Sequence, residues 1–375
     1  MSYKNNKKTV VALSGGVDST TTALLLIKEG YEVSGITGIM HDGMEEAARN
    51  ASEACKVIGI EHHILDLREE FNKTVINYFE NNYKKGLTPN PCTYCNRYIK
   101  WGSLADYAFE KLNADFYATG HYARILKQND SFCLYRGEDH KKDQSYMLFA
   151  LTQKQLSRTL FPLGNINKTE VKEIALDNQL ISADSRESQD VCFICPPETT
   201  QSYLISKFGE KEGEIIDYKT GKVLGIHKGA FNFTTGQRKG IGVAASAPLY
   251  VISTDPDENK IYVGFKELLF SQEFDVENVN WQQEKYGEKQ DNELQKLPSK
   301  QSSASAFYTP ASQHEFPAMV KIRYNSEAQE AIITKTDENS VHVKLKEPKS
   351  AITPGQAAVF YDMNNEFVLC GGWIK

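Results

Sequence analysis

The sequence predicts an α/β N-terminal domain built on a parallel, doubly wound sheet, followed by a small, mainly β central domain and a C-terminal β-barrel. Three observations carry this. Strand and helix signals alternate from Thr9 to Tyr122, short β-branched and aromatic runs separated by turn residues follow Cys195, and strand-like runs at barrel-like spacing extend from Ala318 to Lys375. A chain of 375 residues exceeds a single ordinary core, so domains are expected at 1–205, 206–272 and 273–375.

Thr9 to Leu13 is a short apolar run, as a strand covered on both faces requires, and it stops at Ser14-Gly-Gly. Asp18 to Glu29 carries helical periodicity and ends at Gly30, a residue suited to the left-handed helix terminus. Tyr31 to Met40 reads as the second strand, Met44 to Ile58 as a helix, Glu61 to Leu67 as the third strand and Arg68 to Tyr83 as another helix. Asn96 to Leu112 and Asp115 to Tyr122 repeat the helix and strand. Such succession implies crossover connections, a parallel sheet and ligands beyond the carboxyl ends of its strands. From Gly213 onward, turns at Lys219-Thr-Gly-Lys and Asp255-Pro-Asp-Glu-Asn indicate antiparallel strands, and Gln282 to Gln301 is polar enough to be an exposed insertion or linker.

Composition narrows the class. Hydrophobic residues make up 40% and charged residues 25% of the chain, and no run approaches the roughly 18 apolar residues that mark a membrane span. Met1 to Lys8 is polar and basic without a following apolar run, which argues against a secretory signal and for a cytoplasmic address with no membrane partner. Seven unevenly placed cysteines do not make a disulfide scaffold; in a reducing compartment, paired thiols read as metal ligands or redox groups. A net charge of −6 means that a nucleic-acid partner would need a locally basic surface.

Ser14-Gly15-Gly16-Val17-Asp18-Ser19 lies between strand and helix, where backbone N–H groups and a helix N-terminus hold phosphate. It lacks the Gly-Lys-Ser/Thr ending of a Walker loop and the spacing of a dinucleotide fingerprint, so neither γ-phosphate transfer nor hydride chemistry is indicated. The bland alternative is a tight turn capped by Asp18 or Ser19. The segment resembles the loop of the ATP-pyrophosphatase superfamily, with its adenine nucleotide alpha hydrolase-like fold, whose members adenylate a substrate oxygen and release pyrophosphate.

Cys92-Thr-Tyr-Cys95 and Cys192-Phe-Ile-Cys195 are two complete C-x-x-C pairs. By residue type alone they could close a zinc or iron–sulfur site on Cys92, Cys95, Cys192 and Cys195, and that alternative stays open. The neighbouring residues point elsewhere. Thr88-Pro-Asn-Pro-Cys-Thr-Tyr-Cys-Asn-Arg-Tyr-Ile-Lys-Trp101 and Ser188-Gln-Asp-Val-Cys-Phe-Ile194 resemble blocks of the tRNA-specific 2-thiouridylases, as do Ala118-Thr-Gly-His-Tyr122, Lys142-Asp-Gln-Ser-Tyr146, Thr235-Gly-Gln-Arg-Lys-Gly240, Lys321-Ile-Arg-Tyr324 and Thr353-Pro-Gly-Gln-Ala357. The matches run in order from Ser14 to Gln356 and cover nearly the whole chain.

The resemblance implies a tRNA-uridine 2-sulfurtransferase that uses ATP and Mg2+ to adenylate O2 of the wobble uridine. It implies Cys192 as persulfide carrier and Cys95 as the second catalytic thiol, the two ending as a disulfide. Ala12, Leu13, Ser14, Gly15, Gly16, Val17, Asp18, Ser19, Met40 and Gly120 would bind ATP. Asn90, Pro91 and Cys92 would border the target base; Lys142, Asp143, Gln144, Arg323 and Tyr324 would contact tRNA. His121 and Gln356 would support the site, and Gln237, Arg238 and Lys239 could close over it. The tRNAs would be those for lysine, glutamate and glutamine, and the sulfur donor a cysteine desulfurase or sulfur-relay protein. No resident metal is expected.

Two departures from the family pattern stand out. Cys92 occupies a position where an Asp is common, so proton handling at the base must differ, since a thiol's ordinary pKa of about 8.5 is far above a carboxylate's. Cys195 stands where Gly is common. Because thiolate is the reactive form, an electropositive site that lowers the pKa of the catalytic thiols is expected. Two rival classes remain: an ATP-pyrophosphatase acting as amidotransferase or ligase on another acceptor, which needs no thiols, and a metal-stapled RNA-binding module, which needs no nucleotide loop.

Overall fold

The computed structural model describes residues 6–178, 180, 191–282 and 315–375. They form two compact units: Met1–Ile76 with Pro91–Phe193 and Glu366–Val368, and Asn77–Asn90 with Ile194–Asn365 and Leu369–Lys375.

The first unit contains the predicted parallel sheet. Strands β1 (Lys8–Ala12), β2 (Glu32–Ile39), β3 (His62–Asp66), β4 (Phe116–Ala118) and β7 (Thr159–Leu160) lie in the order β3-β2-β1-β4-β7, every neighbouring pair parallel. Helices α1 (Val17–Lys28) and α2 (Glu45–Ile58) follow β1 and β2. Val11, Leu13 and Ala118 from strands and their ends pack with Ala23 and Leu26 of α1 and Ala51 and Cys55 of α2 in one core, which explains why β1 is an unbroken apolar run. Strand order departs in opposite directions from β1, toward β2 and toward β4. The crevice between the carboxyl ends of β1 and β4 is therefore where such a sheet receives ligands. An antiparallel hairpin, β5 (Ala123–Gln128) with β6 (Ser131–Arg136), follows β4.

The helices around residues 68–110 are less regular than their periodicity predicts. The expected helix from Arg68 to Tyr83 contains a π-helical stretch at Asn72–Ile76, and the one from Asn96 begins with a π-helical stretch, Asn96–Leu104, in which Gly102 is non-helical. Phe71, Val75 and Phe79 are all buried at strict four-residue intervals. Four exceeds the 3.6 residues of an α-turn, and a wider turn keeps such a row from drifting around the helix.

In the second unit, β8 (Gly213–Asp217), β9 (Val223–His227), β10 (Tyr250–Asp255) and β11 (Lys260–Gly264) form a sheet in the order β10-β11-β8-β9. It is mixed, because β11 and β8 run parallel where antiparallel structure was expected throughout. Strands β12 (Phe270–Trp281), β13 (Glu315–Lys321), β14 (Gln329–Asp337), β15 (Ser340–Ser350), β16 (Ala357–Tyr361) and β17 (Val368–Ile374) close into the predicted barrel in the order β12-β15-β14-β13-β16-β17. Val341, Val343 and Leu345 on β15 are fully buried at every second residue, as a packed barrel interior demands. The first barrel strand lies ahead of the runs from Ala318 and contains the expected domain start at 273: β12 is mostly polar, with Val276 and Val279 among its few buried residues, and closure makes it a member. Of the proposed linker Gln282 to Gln301, all but Gln282 lies outside the described residues. Among the described residues no helix is long and apolar enough to cross a membrane.

Candidate active site

The loop after β1 is shaped for close approach. Gly15 has φ of +75°, and a Cβ there would stand 2.4 Å from the Ala47 carbonyl oxygen, so a side chain is excluded twice over. Gly16 precedes α1 in extended conformation and brings no side-chain cap. The Ser19 hydroxyl accepts from the Ser14 N–H at 3.1 Å and donates to the Gly16 carbonyl at 3.0 Å, drawing the turn together from inside. Gly120, just past β4, meets this loop across the crevice: a Cβ there would lie 2.9 Å from the Asp18 carbonyl carbon. Met40 lies one residue past β2 and is buried. Thus Ser14 to Ser19, Met40 and Gly120 come together at the carboxyl ends of adjacent strands.

Asp18 has partners that sequence order did not disclose. Lys168 Nζ donates to its two carboxylate oxygens at 2.7 and 2.6 Å, and the Tyr122 hydroxyl donates to Oδ1 at 2.8 Å. Lys168 opens the helix Lys168–Asp177, and the Asn167–Glu170 capping box, readable in sequence, fixes that helix start. The loop is thereby supplied with a cation from 150 residues away.

Cys95 ends the short helix Pro91–Cys95 and is 6% exposed, whereas Cys92, on the same turn, and Cys192 are exposed. Cys95 Sγ lies 3.9 Å from Met40 Sδ. Burial pushes the Cys95 thiol up to about 12, the Lys100 ammonium acts in the opposite sense, and the charges of Cys192 and Cys92 push it further up. Burial also raises Cys92, again opposed by Lys100, although the residue as a whole is exposed. For Cys95 the expected electropositive lowering is therefore corrected: Lys100 acts in that direction, and desolvation outweighs it. Lys100 sits within the π-helical stretch Asn96–Leu104; it belongs to the Thr88–Trp101 block that carries the family resemblance, but nothing in that block says that its charge acts on the thiols. Phe193 packs edge-on against Phe71 at 5.7 Å, anchoring the residue next to Cys192. Ser188, Gln189 and Asp190 of the same block lie outside the described residues.

His121 Nδ1 pairs with Thr119 Oγ1 at 2.8 Å, and its ring contacts Trp101 and Phe161. Burial first, and the Lys100 charge second, hold its pKa well below the ordinary value, so the imidazole is neutral at pH near 7. Among the described residues no three His, Cys, Asp or Glu side chains are grouped as metal ligands.

The residues named for RNA divide by burial. Lys142 and Gln144 are half-buried, and Gln144 Oε1 accepts from the Tyr122 N–H at 3.0 Å. Asp143 is turned inward: with its side chain 1% exposed, it accepts from Arg136 Nε at 2.8 Å, the Gly137 N–H at 3.3 Å and the Ser145 N–H at 3.0 Å. Its expected direct contact gives way to a supporting role, because its oxygens already hold the turn that presents Lys142 and Gln144. Asp143→Ala is expected to cost about 3 kcal/mol by stranding Arg136, read as a lowered urea midpoint; an unchanged midpoint would remove this role.

In the second unit, Gln356 Nε2 donates to the Thr88 carbonyl at 2.9 Å and the Pro89 carbonyl at 3.4 Å, and the Thr88 N–H donates to the Pro354 carbonyl at 2.9 Å. The Thr353–Gln356 turn thus fixes the segment leading to Asn90, which is buried together with Pro91. Arg323 is exposed and donates to the Ala351 carbonyl and to Thr353 Oγ1; Tyr324 carries Lys321 Nζ 5.8 Å from its ring centroid. Gln237 spends its amide within its own turn, on the Thr234 N–H and the Lys239 carbonyl, while Arg238 and Lys239 are exposed.

Residues 7–196 match the family model described as the tRNA methyl transferase HUP domain, 201–265 the tRNA methyl transferase PRC-barrel domain, and 300–374 the aminomethyltransferase beta-barrel domain. Fold and loop therefore define a HUP-domain protein with two appended β modules. Curated relatives match the chain from end to end. The tRNA-specific 2-thiouridylase MnmA of Nostoc punctiforme is 39% identical over 375 residues, 98% of this chain and 99% of its own. That of Carboxydothermus hydrogenoformans is 38% identical over 394 residues, 100% and 99% of the two chains, and that of Microcystis aeruginosa 40% over 374 residues, 98% of each. The chain belongs to the tRNA-specific 2-thiouridylase family.

Proposed function

We propose that this protein is a tRNA-uridine 2-sulfurtransferase that thiolates the wobble uridine of lysine, glutamate and glutamine tRNAs by ATP-driven activation of O2 and sulfur transfer from a Cys192 persulfide. The observation that carries this reading is the full-length match to the 2-thiouridylase family, with a buried thiol, Cys95, and an exposed one, Cys192, in the unit that also holds the glycine loop. A nitrogen-transferring ATP-pyrophosphatase has no use for that pair.

The loop fits a nucleotide phosphate: glycine at position 15 lets it pack against the Ala47 carbonyl with no Cβ in the way, and the Lys168–Asp18 pair lies beside the start of α1. Main-chain groups from Ala12 to Ser19 hold the phosphates, and Met40 and Gly120 flank the adenine side. Asp18, held by Lys168 and Tyr122, is the carboxylate beside the loop that would hold a Mg2+ brought with ATP by giving up Lys168, and the ion would supply neutralisation of phosphate charge. Uridine O2 attacks the α-phosphorus, pyrophosphate leaves, and the adenylated O2 makes C2 electrophilic. The terminal sulfur of the Cys192 persulfide adds to C2 and AMP departs. Cys95 thiolate then attacks Cys192 Sγ, leaving the sulfur on C2 and forming a Cys95–Cys192 disulfide. Two thiols supply the two electrons that reduce the transferred sulfur.

The exposed Cys192 suits loading by a cysteine desulfurase or sulfur-relay protein in the cytoplasm. The neutral His121, held by Thr119 and packed against Trp101 and Phe161, supports a role in positioning the nucleotide, since its depressed pKa makes it a weak proton acceptor. Residues 1–205 would perform adenylation and thiolation, 206–272 would form the central module, and 273–375 would meet tRNA through Arg323 and Tyr324. Asn90 to Cys92 would border the base, and Lys142 and Gln144 would approach the RNA.

Nucleoside mass spectrometry of tRNA incubated with ATP, a sulfur donor and the protein tests the reading: 2-thiouridine is expected, and its absence with a competent donor overturns the assignment. A pH series adds a second check. With Cys95 pushed up to about 12, its thiolate fraction grows about tenfold per pH unit below that value. The single-turnover rate of sulfur release should rise accordingly between about pH 7 and about pH 9. A flat profile would move the step away from Cys95.

A further inference from the structure

The Cys95–Cys192 disulfide that ends each turnover must be opened before Cys192 can carry sulfur again, and its two ends are unequally accessible. Cys95 is buried, so an external reductant meets the bond from the exposed Cys192 side. Attack there would expel the buried Cys95 as a poorly solvated thiolate and leave Cys192 blocked in a mixed disulfide.

A third sulfur offers another route. Cys92 stands three residues before Cys95 within the first turn of helix Pro91–Cys95, is exposed, and is close enough for its charge to act on Cys95. Residues three apart on a helix have Cβ atoms about 5–6 Å apart, against roughly 3.5–4.5 Å in a disulfide. The helix that holds both is five residues long, so the remaining closure asks for a shift of little more than one turn. Burial raises the Cys92 thiol and Lys100 opposes that rise, so the attacking thiolate forms more readily at higher pH.

We propose that Cys92 is the resolving thiol of the catalytic cycle: its thiolate attacks Cys95 Sγ of the Cys95–Cys192 disulfide, forming a Cys92–Cys95 disulfide and releasing Cys192 as an exposed thiolate ready for reloading. One S–S bond breaks and one forms, so the exchange needs no outside electrons. A small or protein dithiol then reduces Cys92–Cys95 through the exposed Cys92. The inference rests on the sulfur-transfer reading above and assigns chemistry to the position where this chain departs from its family's usual Asp.

The test is one turnover of persulfide-loaded protein with ATP and tRNA, without reductant, followed by alkylation and peptide mapping. In the unmodified chain the disulfide is expected within the peptide holding Cys92 and Cys95, with Cys192 alkylated. In Cys92→Ser it is expected to remain between Cys95 and Cys192, with Cys192 protected and a second sulfur loading slowed at least about tenfold until dithiol is added. A Cys95–Cys192 disulfide in both proteins, with Cys92 alkylated in the unmodified chain, overturns the relay but leaves sulfur transfer standing. No disulfide in either overturns sulfur transfer and the relay together. Iron or zinc bound in proportion to protein and lost in Cys92→Ser makes Cys92 a metal ligand and overturns the relay.

Discussion

Cys192→Ser is expected to abolish 2-thiouridine formation, a loss of more than about a thousandfold, while tRNA-dependent conversion of ATP to AMP continues. The two halves of the reaction use different groups. Adenylation needs the loop Ser14 to Ser19 and the uridine oxygen; sulfur transfer needs a side chain able to hold a sulfur at the zero oxidation level, which a serine hydroxyl cannot do. Cys192 is exposed, so the substitution leaves no cavity, and folding should be untouched. Nucleoside mass spectrometry reads the first activity and AMP release the second. Thiouridine made at the normal rate would sink the persulfide assignment, and loss of both activities with a lowered melting temperature would make Cys192 structural.

Gly15→Ala should remove nucleotide binding, weakening ATP affinity by at least about a hundredfold in calorimetric titration. Left-handed backbone costs a non-glycine residue about 1 kcal/mol, and the added Cβ would overlap the Ala47 carbonyl at 2.4 Å, backbone against backbone, so the loop must move. Gly59 provides the control: its φ of +76° is nearly the same, it ends α2, and nothing lies within 4 Å of its Cβ position. Gly59→Ala should cost about 1 kcal/mol of stability and leave ATP affinity unchanged. Equal losses of affinity in both variants would show that the loop's shape is not what holds the nucleotide.

Much of this architecture was legible because its signals are local. An apolar run ending at Ser14-Gly-Gly, with a periodic helix behind it, could hardly be anything but strand, turn and helix, and repetition of that unit dictates a parallel sheet. The barrel was legible from β13 onward, where alternation is clear, and illegible at β12, whose polar run enters the barrel because closure recruits it. The π-helical stretches escaped periodicity because a row of apolar residues four apart suits an ordinary helix almost as well.

The sequence by itself determined the order of domains, the membership of the family and the residue types available for chemistry, since each depends on spacing within a few residues and on matches in register along the chain. Tertiary structure decided what those residues can do. Lys168 reaches Asp18 from 150 residues away, Asp143 turns inward to Arg136, and Gln356 grips the Thr88 and Pro89 carbonyls from the barrel side. The sign of the Cys95 shift was also decided there: whether burial or Lys100 prevails depends on how many atoms surround the sulfur, a sum over neighbours brought together by folding and written nowhere in their spacing.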